Sequence, residues 1–340
     1  MIKSLRKLFR LEQNNNSSGS ISKLERYKIN CTSCQELISF KRLKPLSSSQ
    51  CPNCNSTFLV PYQIDNYWLT SLLGSGGEGE VYKAIKNTSP PHNYAIKLLH
   101  RESRKEKKDS LIREATVLEH FESKKHILQI CEYGYYKYQA YYVTELIEAS
   151  ELEQYITEQK PCEEEVLFLC FQIMKTEATI LQHGYLYRDL KPDNILVGHD
   201  GQITIVDFGI CCSATDYLEI EENYIAGTAQ YLPPERLTGE IEEERSEIYS
   251  LGLILYFMLK GEALINDSNK QKMADKHLQA KNAQWIRQGL ATHNPKLVDI
   301  LCKMTAFKKA DRYLTMKEAE SELKRYFNQT YRNIRHKTHS

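Results

Sequence analysis

Tyr187-Arg188-Asp189-Leu190-Lys191-Pro192-Asp193-Asn194 and, shortly after it, Asp207-Phe208-Gly209 decide how this chain is read. In one short span they place an acid able to take a proton, a lysine, an amide side chain and a second acid. Moving a γ-phosphoryl group asks for that set. The protein does little covalent chemistry there, and catalysis reduces to positioning and to neutralising charge, largely through Mg²⁺. One Arg-Asp pair alone reads as a surface salt bridge; eight ordered residues with Asp-Phe-Gly at this distance do not.

The spacing resembles the catalytic loop H-R-D-L-x-x-x-N and the D-F-G metal motif of the protein kinase family. The resemblance implies Asp189 as the base, Lys191 as a phosphate contact, and Asn194 and Asp207 as Mg²⁺ ligands. Tyr187 stands where the family has His, and its ring can still pack under Phe208.

Composition bounds the rest. At 340 residues, 41% hydrophobic and 26% charged, the chain is an ordinary globular protein of about two domains. A net charge of +1 gives no global reason to expect nucleic acid as the main partner. The longest apolar stretch, 251–259, broken only by Gly252, is too short to span a bilayer and reads as a buried helix. No secretory signal is visible at the N-terminus, and the ten cysteines are mostly scattered, which favours a reducing, cytoplasmic location.

Residues 1–11 segregate at helical spacing, with Ile2, Leu5, Leu8, Phe9 and Leu11 opposite Lys3, Arg6, Lys7 and Arg10. Such a segment can touch an anionic membrane peripherally, or dock on the protein itself. The run 14–20 is small and polar and reads as a flexible linker. Cys31 and Cys34, then sixteen residues (35–50), then Cys51 and Cys54 form two C-x-x-C knuckles. They can offer four thiolates to one structural Zn²⁺, with no coordination position left open for water. A redox dithiol needs only one such pair. The segment resembles a zinc ribbon; Lys41, Arg42 and Lys44 between the knuckles could meet phosphate but read as solvated cations.

Leu73-Gly74-Ser75-Gly76-Gly77-Glu78-Gly79-Glu80-Val81 has the form G-x-G-x-x-G-x-V, where backbone N–H groups can approach phosphate oxygens. A dinucleotide-binding turn shares the spacing but opens a helix, whereas residues 80–84 alternate as a strand. Tyr94-Ala95-Ile96-Lys97 resembles the V-A-I-K strand, which implies that Lys97 holds the α- and β-phosphates. The resemblance makes Glu114, in a helical pattern with Leu111, Ala115 and Leu118, the partner of Lys97, with Glu119 as the substitute. The charge run 101–109 reads as a solvated loop approaching that helix. Stretches 127–133 and 141–147 read as paired strands. By resemblance Thr144 is then a gatekeeper, the backbone of Glu145 to Ile147 meets the adenine edge, and Leu196 closes the adenine pocket beside Val81 and Ala95. Stretch 166–183 reads as the central helix of the large lobe.

Residues 227–235, Gly-Thr-Ala-Gln-Tyr-Leu-Pro-Pro-Glu, resemble G-T-x-x-Y-x-x-P-E, with Pro234 where Ala is usual. The resemblance pairs Glu235 with Arg312 and lets Arg188 clamp a phosphate on the activation segment, where Ser213, Thr215, Tyr217 and Tyr224 offer hydroxyls. Glu247 stands where the family has an Asp accepting backbone hydrogen bonds from the catalytic loop. Stretch 271–327 reads as further helices, and 324–337 as a solvated basic tail.

The fold class implied is α+β: a bilobal protein kinase fold, with a small β-rich lobe and a large α-helical lobe holding MgATP between them, preceded by a small zinc ribbon. The domains are 1–25 (basic amphipathic segment and linker), 26–62 (ribbon-like module), 66–327 (kinase domain) and 328–340 (basic tail). Lys191 and Thr228 resemble Ser/Thr rather than Tyr kinases, and the compact large lobe resembles the bacterial branch. The function implied is transfer of the ATP γ-phosphoryl group to Ser/Thr hydroxyls of protein substrates, regulated through the activation segment. The cofactors implied are ATP, Mg²⁺ and structural Zn²⁺. Tyr187, Pro234 and Glu247 leave open a pseudokinase scaffold, and the knuckles a ribbon-driven binding protein.

Overall fold

Each C-x-x-C pair sits in the turn of a short hairpin: β1 (Lys28–Asn30) pairs with β2 (Leu37–Ser39), and β3 (Ser48–Gln50) with β4 (Thr57–Leu59). The computed structural model describes residues 18–76, 79–86, 92–213 and 229–332. The two turns are built alike. Cys31 N–H donates to Glu36 O (2.8 Å) and Gln35 N–H to Cys31 O (3.0 Å); Cys51 N–H donates to Ser56 O and Asn55 N–H to Cys51 O, both at 2.9 Å. Gln35 and Asn55 carry the chain through the left-handed region, at φ 61° and 59°, which reverses its direction within one residue.

By their internal contacts the described residues fall into two units, one within 1–122 and 129–147, the other within 123–128 and 148–340. In the first, the polar run read as a linker ends in a helix, α1 (Ser18–Glu25). Ile21 and Leu24, three residues apart, are buried, and Leu24 packs with Phe40, Val60 and Trp68. That apolar pair outweighs the polar composition around it. The helix is therefore part of the ribbon rather than a spacer before it. Residues 1–11 lie outside the described residues.

A six-stranded antiparallel sheet follows, in the order β5-β6-β7-β8-β10-β9. It comprises β5 (Tyr62–Ile64), β6 (Tyr67–Ser75), β7 (Gly79–Lys86), β8 (His92–Leu99), β9 (Ile130–Tyr136) and β10 (Gln139–Glu145). No linker separates ribbon from sheet at 62–66. Tyr62 already pairs with Leu69, and Trp68 of β6 packs its ring edgewise on Tyr27 and Phe40 at 6.2 and 6.1 Å. Ile64, Tyr67, Leu69, Tyr82, Ala84, Ile96, Leu98, Tyr141 and Val143 make the core on one face of the sheet. Leu111 and Ala115 of α2 (Lys105–Glu119) pack with Leu99 and Tyr142.

Two readings shift here. Helix α2 starts at Lys105, inside the charge run taken for a loop; Lys and Glu are good helix formers, so charge alone does not mark a loop. The paired strands run 130–136 and 139–145, because the chain reverses at Lys137 and Tyr138, both at positive φ (46° and 72°). Neither residue type announces such a turn.

In the second unit, β11 (Ala149–Glu151), β13 (Ile195–Gly198) and β14 (Ile203–Ile205) form one small sheet, and β12 (Tyr185–Leu186) pairs with β15 (Cys212–Ser213). Helices α3 (Leu152–Gln159), α4 (Glu163–Gln182), α5 (Pro234–Thr238), α6 (Glu244–Lys260), α7 (Lys270–Leu278), α8 (Asn282–Gly289), α9 (Pro295–Met304) and α10 (Met316–Phe327) build the remainder. Helix α6 is buried over every residue from Ser246 to Met258, and a Cβ on its Gly252 would meet Thr305 Cγ2 at 2.6 Å. The start of the basic tail is not simply solvated. Asn328–Arg332 continues as a π-helical turn, and Tyr326 and Tyr331 both donate to Glu163 Oε1 of α4 (2.5 and 2.7 Å). No helix among the described residues is long and apolar enough to cross a membrane.

Candidate active site

In the first unit the strand register sets four residues in one row: Gly74 opposite Val81, Val81 opposite Lys97, Lys97 opposite Tyr142. Ala95 and Thr144, opposite each other, form part of a neighbouring row on the same face. Leu73 lies beside Gly74 on β6, and Gly76 N–H donates to Gly79 O at 2.9 Å. Gly79 has a steric reason to be glycine, since a Cβ there would lie 2.5 Å from Leu98 O. Gly77 and Glu78 lie outside the described residues.

Lys97 Nζ donates to both oxygens of Glu114, at 3.1 and 2.8 Å. Tyr142 OH donates to Glu114 Oε1 at 2.9 Å, and the Lys97 ammonium lies 5.5 Å from the Tyr142 ring centroid. Glu114 is only 4% exposed, so its charge is held by paired donors rather than by water. Glu119, the substitute considered, accepts from Tyr133 OH instead. Glu145 ends β10 opposite Tyr94, and Ile147 follows two residues on, partly buried.

In the second unit Asp189 is the hub. Lys191 Nζ donates to its Oδ2 at 2.6 Å, and Asn194 Nδ2 donates to the same oxygen at 2.9 Å and to its backbone O at 3.0 Å. Burial pushes the Asp189 carboxyl above the usual carboxylate range, Lys191 pulls against that rise, and the nearby Asp207 charge adds to it. Val206 N–H donates to Asn194 O at 3.0 Å, which ties the segment before Asp207 to the loop. Arg188 and Asp207 both adopt positive φ, 71° and 62°, backbone strain of the kind that gathers at functional sites. Leu196 sits on β13, opposite Glu151 and Thr204.

The departures from the motif are accommodated. Tyr187 is fully buried, packs edgewise on Phe208 at 5.0 Å and donates its hydroxyl to Val206 O at 2.6 Å. Glu247, despite the extra methylene, accepts from Arg188 N–H at 2.9 Å. Pro234 opens α5 at a first-turn position that needs no N–H. Glu235 meets Arg312 through two hydrogen bonds, 2.7 and 2.9 Å, with both side chains at most 2% exposed. Among the candidate activation-segment hydroxyls Ser213 lies in β15, whereas Thr215, Tyr217 and Tyr224 lie outside the described residues.

The four knuckle thiols, Cys31, Cys34, Cys51 and Cys54, come together with their sulfurs all within 4.8 Å of one another. Cys31 to Cys54 and Cys34 to Cys51 are each 3.6 Å apart. Four sulfurs at ~2.3 Å from one tetrahedral ion would stand roughly 3.8 Å apart, so the donor set fits Zn²⁺ in chemistry and in size. The Ser56 hydroxyl beside Cys31 holds that thiol down at about 6.

Sequence reasoning missed three acidic and aromatic features. Glu242 lies between two arginines, and nothing in the acidic run 240–244 marks it. Glu177 is buried in α4, and among the described residues neither of its oxygens has a hydrogen-bond partner. Here a signal existed, since Glu177 falls on the apolar stripe of Ile173 and Ile180. Trp68 read as a lead-in aromatic, and it is the shared core of ribbon and sheet.

A model of the protein kinase domain matches residues 67–325. The serine/threonine-protein kinase PrkC of Bacillus subtilis is 30% identical over 273 residues, covering 77% of this chain and 40% of the relative. The serine/threonine-protein kinase PknH of Mycobacterium tuberculosis is 30% identical over 253 residues, covering 73% and 40%. The chain thus spans about two fifths of the length of the relatives it matches. With the family model matched over most of its length, the chain belongs to the protein kinase family.

Proposed function

We propose that this chain is a serine/threonine protein kinase, transferring the γ-phosphoryl group of MgATP to a hydroxyl of a protein substrate. The observation that carries this reading is the partly buried Asp189 carboxylate gripped by Lys191 and Asn194 in one hydrogen-bonded unit. The relatives' names point to Ser and Thr as acceptors, and the family implies ATP and Mg²⁺.

In the first unit Lys97, fixed by Glu114 and Tyr142, meets the α- and β-phosphates. Leu73, Gly74, Gly76, Gly79 and Val81 line the glycine-rich turn, Ala95 and Val81 face the purine, and the backbone at Glu145 and Ile147 meets its edge. In the second unit Leu196, on β13, is the residue that the family pattern assigns to adenine contact. Asp189 orients the acceptor hydroxyl and takes its proton as the oxygen attacks; its raised pKa suits that exchange. Lys191 keeps the carboxylate oriented and presents positive charge to the transferring group. Asn194 spends its amide nitrogen on Asp189, and its oxygen together with the Asp207 carboxylate is the hard-oxygen pair that would hold Mg²⁺. When bound, Mg²⁺ neutralises charge on the phosphate oxygens.

The four thiols, we further propose, hold a structural Zn²⁺ in a module fused to the kinase sheet through Trp68. None of the ten cysteines, all among the described residues, is disulfide-bonded, which fits a reducing cytoplasm.

The test is incubation of the full chain with γ-labelled MgATP and a generic protein acceptor, followed by acid hydrolysis. The expected label is phosphoserine and phosphothreonine. Label confined to phosphotyrosine, or none in acceptor or chain, would overturn the reading.

A further inference from the structure

Two buried arginines close on a single carboxylate beside the catalytic loop. Glu242 is 4% exposed and accepts Arg188 Nε (3.1 Å) and Nη2 (2.8 Å) on Oε1. Its Oε2 accepts Arg236 Nε at 2.9 Å and also Arg236 Nη2. Arg236 Nη1 continues to the Arg188 carbonyl oxygen at 2.8 Å. The side chains of Arg188, Glu242 and Arg236 are 7%, 1% and 6% exposed, so this cluster is sealed.

Arg188 immediately precedes the base. Its N–H is held by Glu247, its C=O by Arg236 and its guanidinium by Glu242. An arginine buried here without an anion would carry an uncompensated charge, which a folded protein does not tolerate cheaply. The sequence reading assigned that anion to a phosphate on the activation segment. The chain already supplies one. A phosphate arriving at Arg188 would confront the Glu242 carboxylate in a buried, low-dielectric place, where like charges repel strongly.

We propose that Glu242 is a built-in counter-anion and positioning residue: it holds Arg188, and through it Asp189, in the working arrangement without a phosphate on the activation segment. Catalysis by this chain therefore does not wait for activation-segment phosphorylation. The inference rests on the kinase reading above.

The test uses the full chain as its single-residue and combined variants. Ser213→Ala/Thr215→Ala/Tyr217→Phe/Tyr224→Phe removes the candidate hydroxyls, and this variant is expected to transfer phosphate to a protein acceptor within about twofold of wild type, with no lag in the progress curve. Glu242→Gln in that background is expected to lower kcat at least tenfold with KM for ATP nearly unchanged, and Glu242→Asp to recover part of it. A purely structural role would instead move thermal stability and both constants together. If the hydroxyl-free variant loses activity tenfold or more, or gains it back when one site becomes Glu, Glu242 is not sufficient and the inference falls while the kinase reading stands. If wild type itself transfers nothing, the kinase reading falls and takes this inference with it. Should Glu242→Gln fail to fold, the hydroxyl-free variant alone still decides.

Discussion

Glu177 and Glu247 form a buried pair of acids whose cost is measurable by pH. Glu177 on α4 is 0% exposed and Glu247 on α6 is 2% exposed; among the described residues neither oxygen of Glu177 and not the Oε2 of Glu247 has a hydrogen-bond partner. Burial pushes Glu177 well above its ordinary range, and the Glu247 charge adds to that. Glu247 is pushed up to about 7, by burial first and by Glu242 second, against the pull of Arg236 and Arg188. In the unfolded chain both carboxyls lose their protons near 4.5. Between about pH 4.5 and 7 the folded state therefore holds more protons, and stability falls as pH rises through that window. Raising Glu247 from 4.5 to about 7 corresponds, at ~1.36 kcal/mol per pH unit, to about 3 kcal/mol lost by pH 8. Glu177→Gln removes one of the two ionisations while keeping the shape. It is expected to be more stable than wild type at pH 8, with the gain shrinking as the pH falls toward 5. Urea unfolding followed by circular dichroism, which the helices of the second unit dominate, gives the midpoints across pH 5–8. Wild type and Glu177→Gln running parallel over that range would refute the reasoning.

Three further outcomes can be checked directly. Arg312→Met strands the Glu235 carboxylate with Ser246 and is expected to cost about 3–5 kcal/mol, whereas Glu235→Leu/Arg312→Met together cost less than the sum of the singles; urea unfolding of the four forms measures the coupling. Gly79→Ala forces a Cβ against Leu98 O, so about 1–3 kcal/mol of overpacking is expected, with weaker ATP binding by calorimetry; an unchanged melting temperature would contradict the close strand approach. The purified chain is expected to carry one Zn²⁺ per molecule, and Cys51→Ser to abolish it while red-shifting the Trp68 emission as its packing on Phe40 loosens.

What the sequence made legible was what local spacing controls. Asp189, Lys191 and Asn194 lie within six positions, so their hydrogen-bonded geometry follows from one loop conformation. The knuckle cysteines were legible for the same reason, each pair closing its own hairpin. Lys97 and Glu114 needed the family pattern, because helix α2 presents several acids and only tertiary packing selects one. The rest depended on contacts between distant residues. Glu242 is one of several adjacent acids, and its neighbour Arg188 lies 54 positions away. Ile21 and Leu24 were hidden in a polar setting, and the Lys137-Tyr138 turn relied on positive φ at residues that rarely adopt it.

The central claim is that Asp189 takes the proton of the acceptor hydroxyl and that Lys97 holds the phosphates of ATP. Steady-state transfer from labelled MgATP, measured for wild type, Asp189→Ala and Lys97→Met, tests it most directly. The account predicts that Asp189→Ala lowers kcat at least a hundredfold with KM for ATP little changed, and that Lys97→Met also loses activity at least a hundredfold. Label incorporated by both variants at the wild-type rate would contradict it.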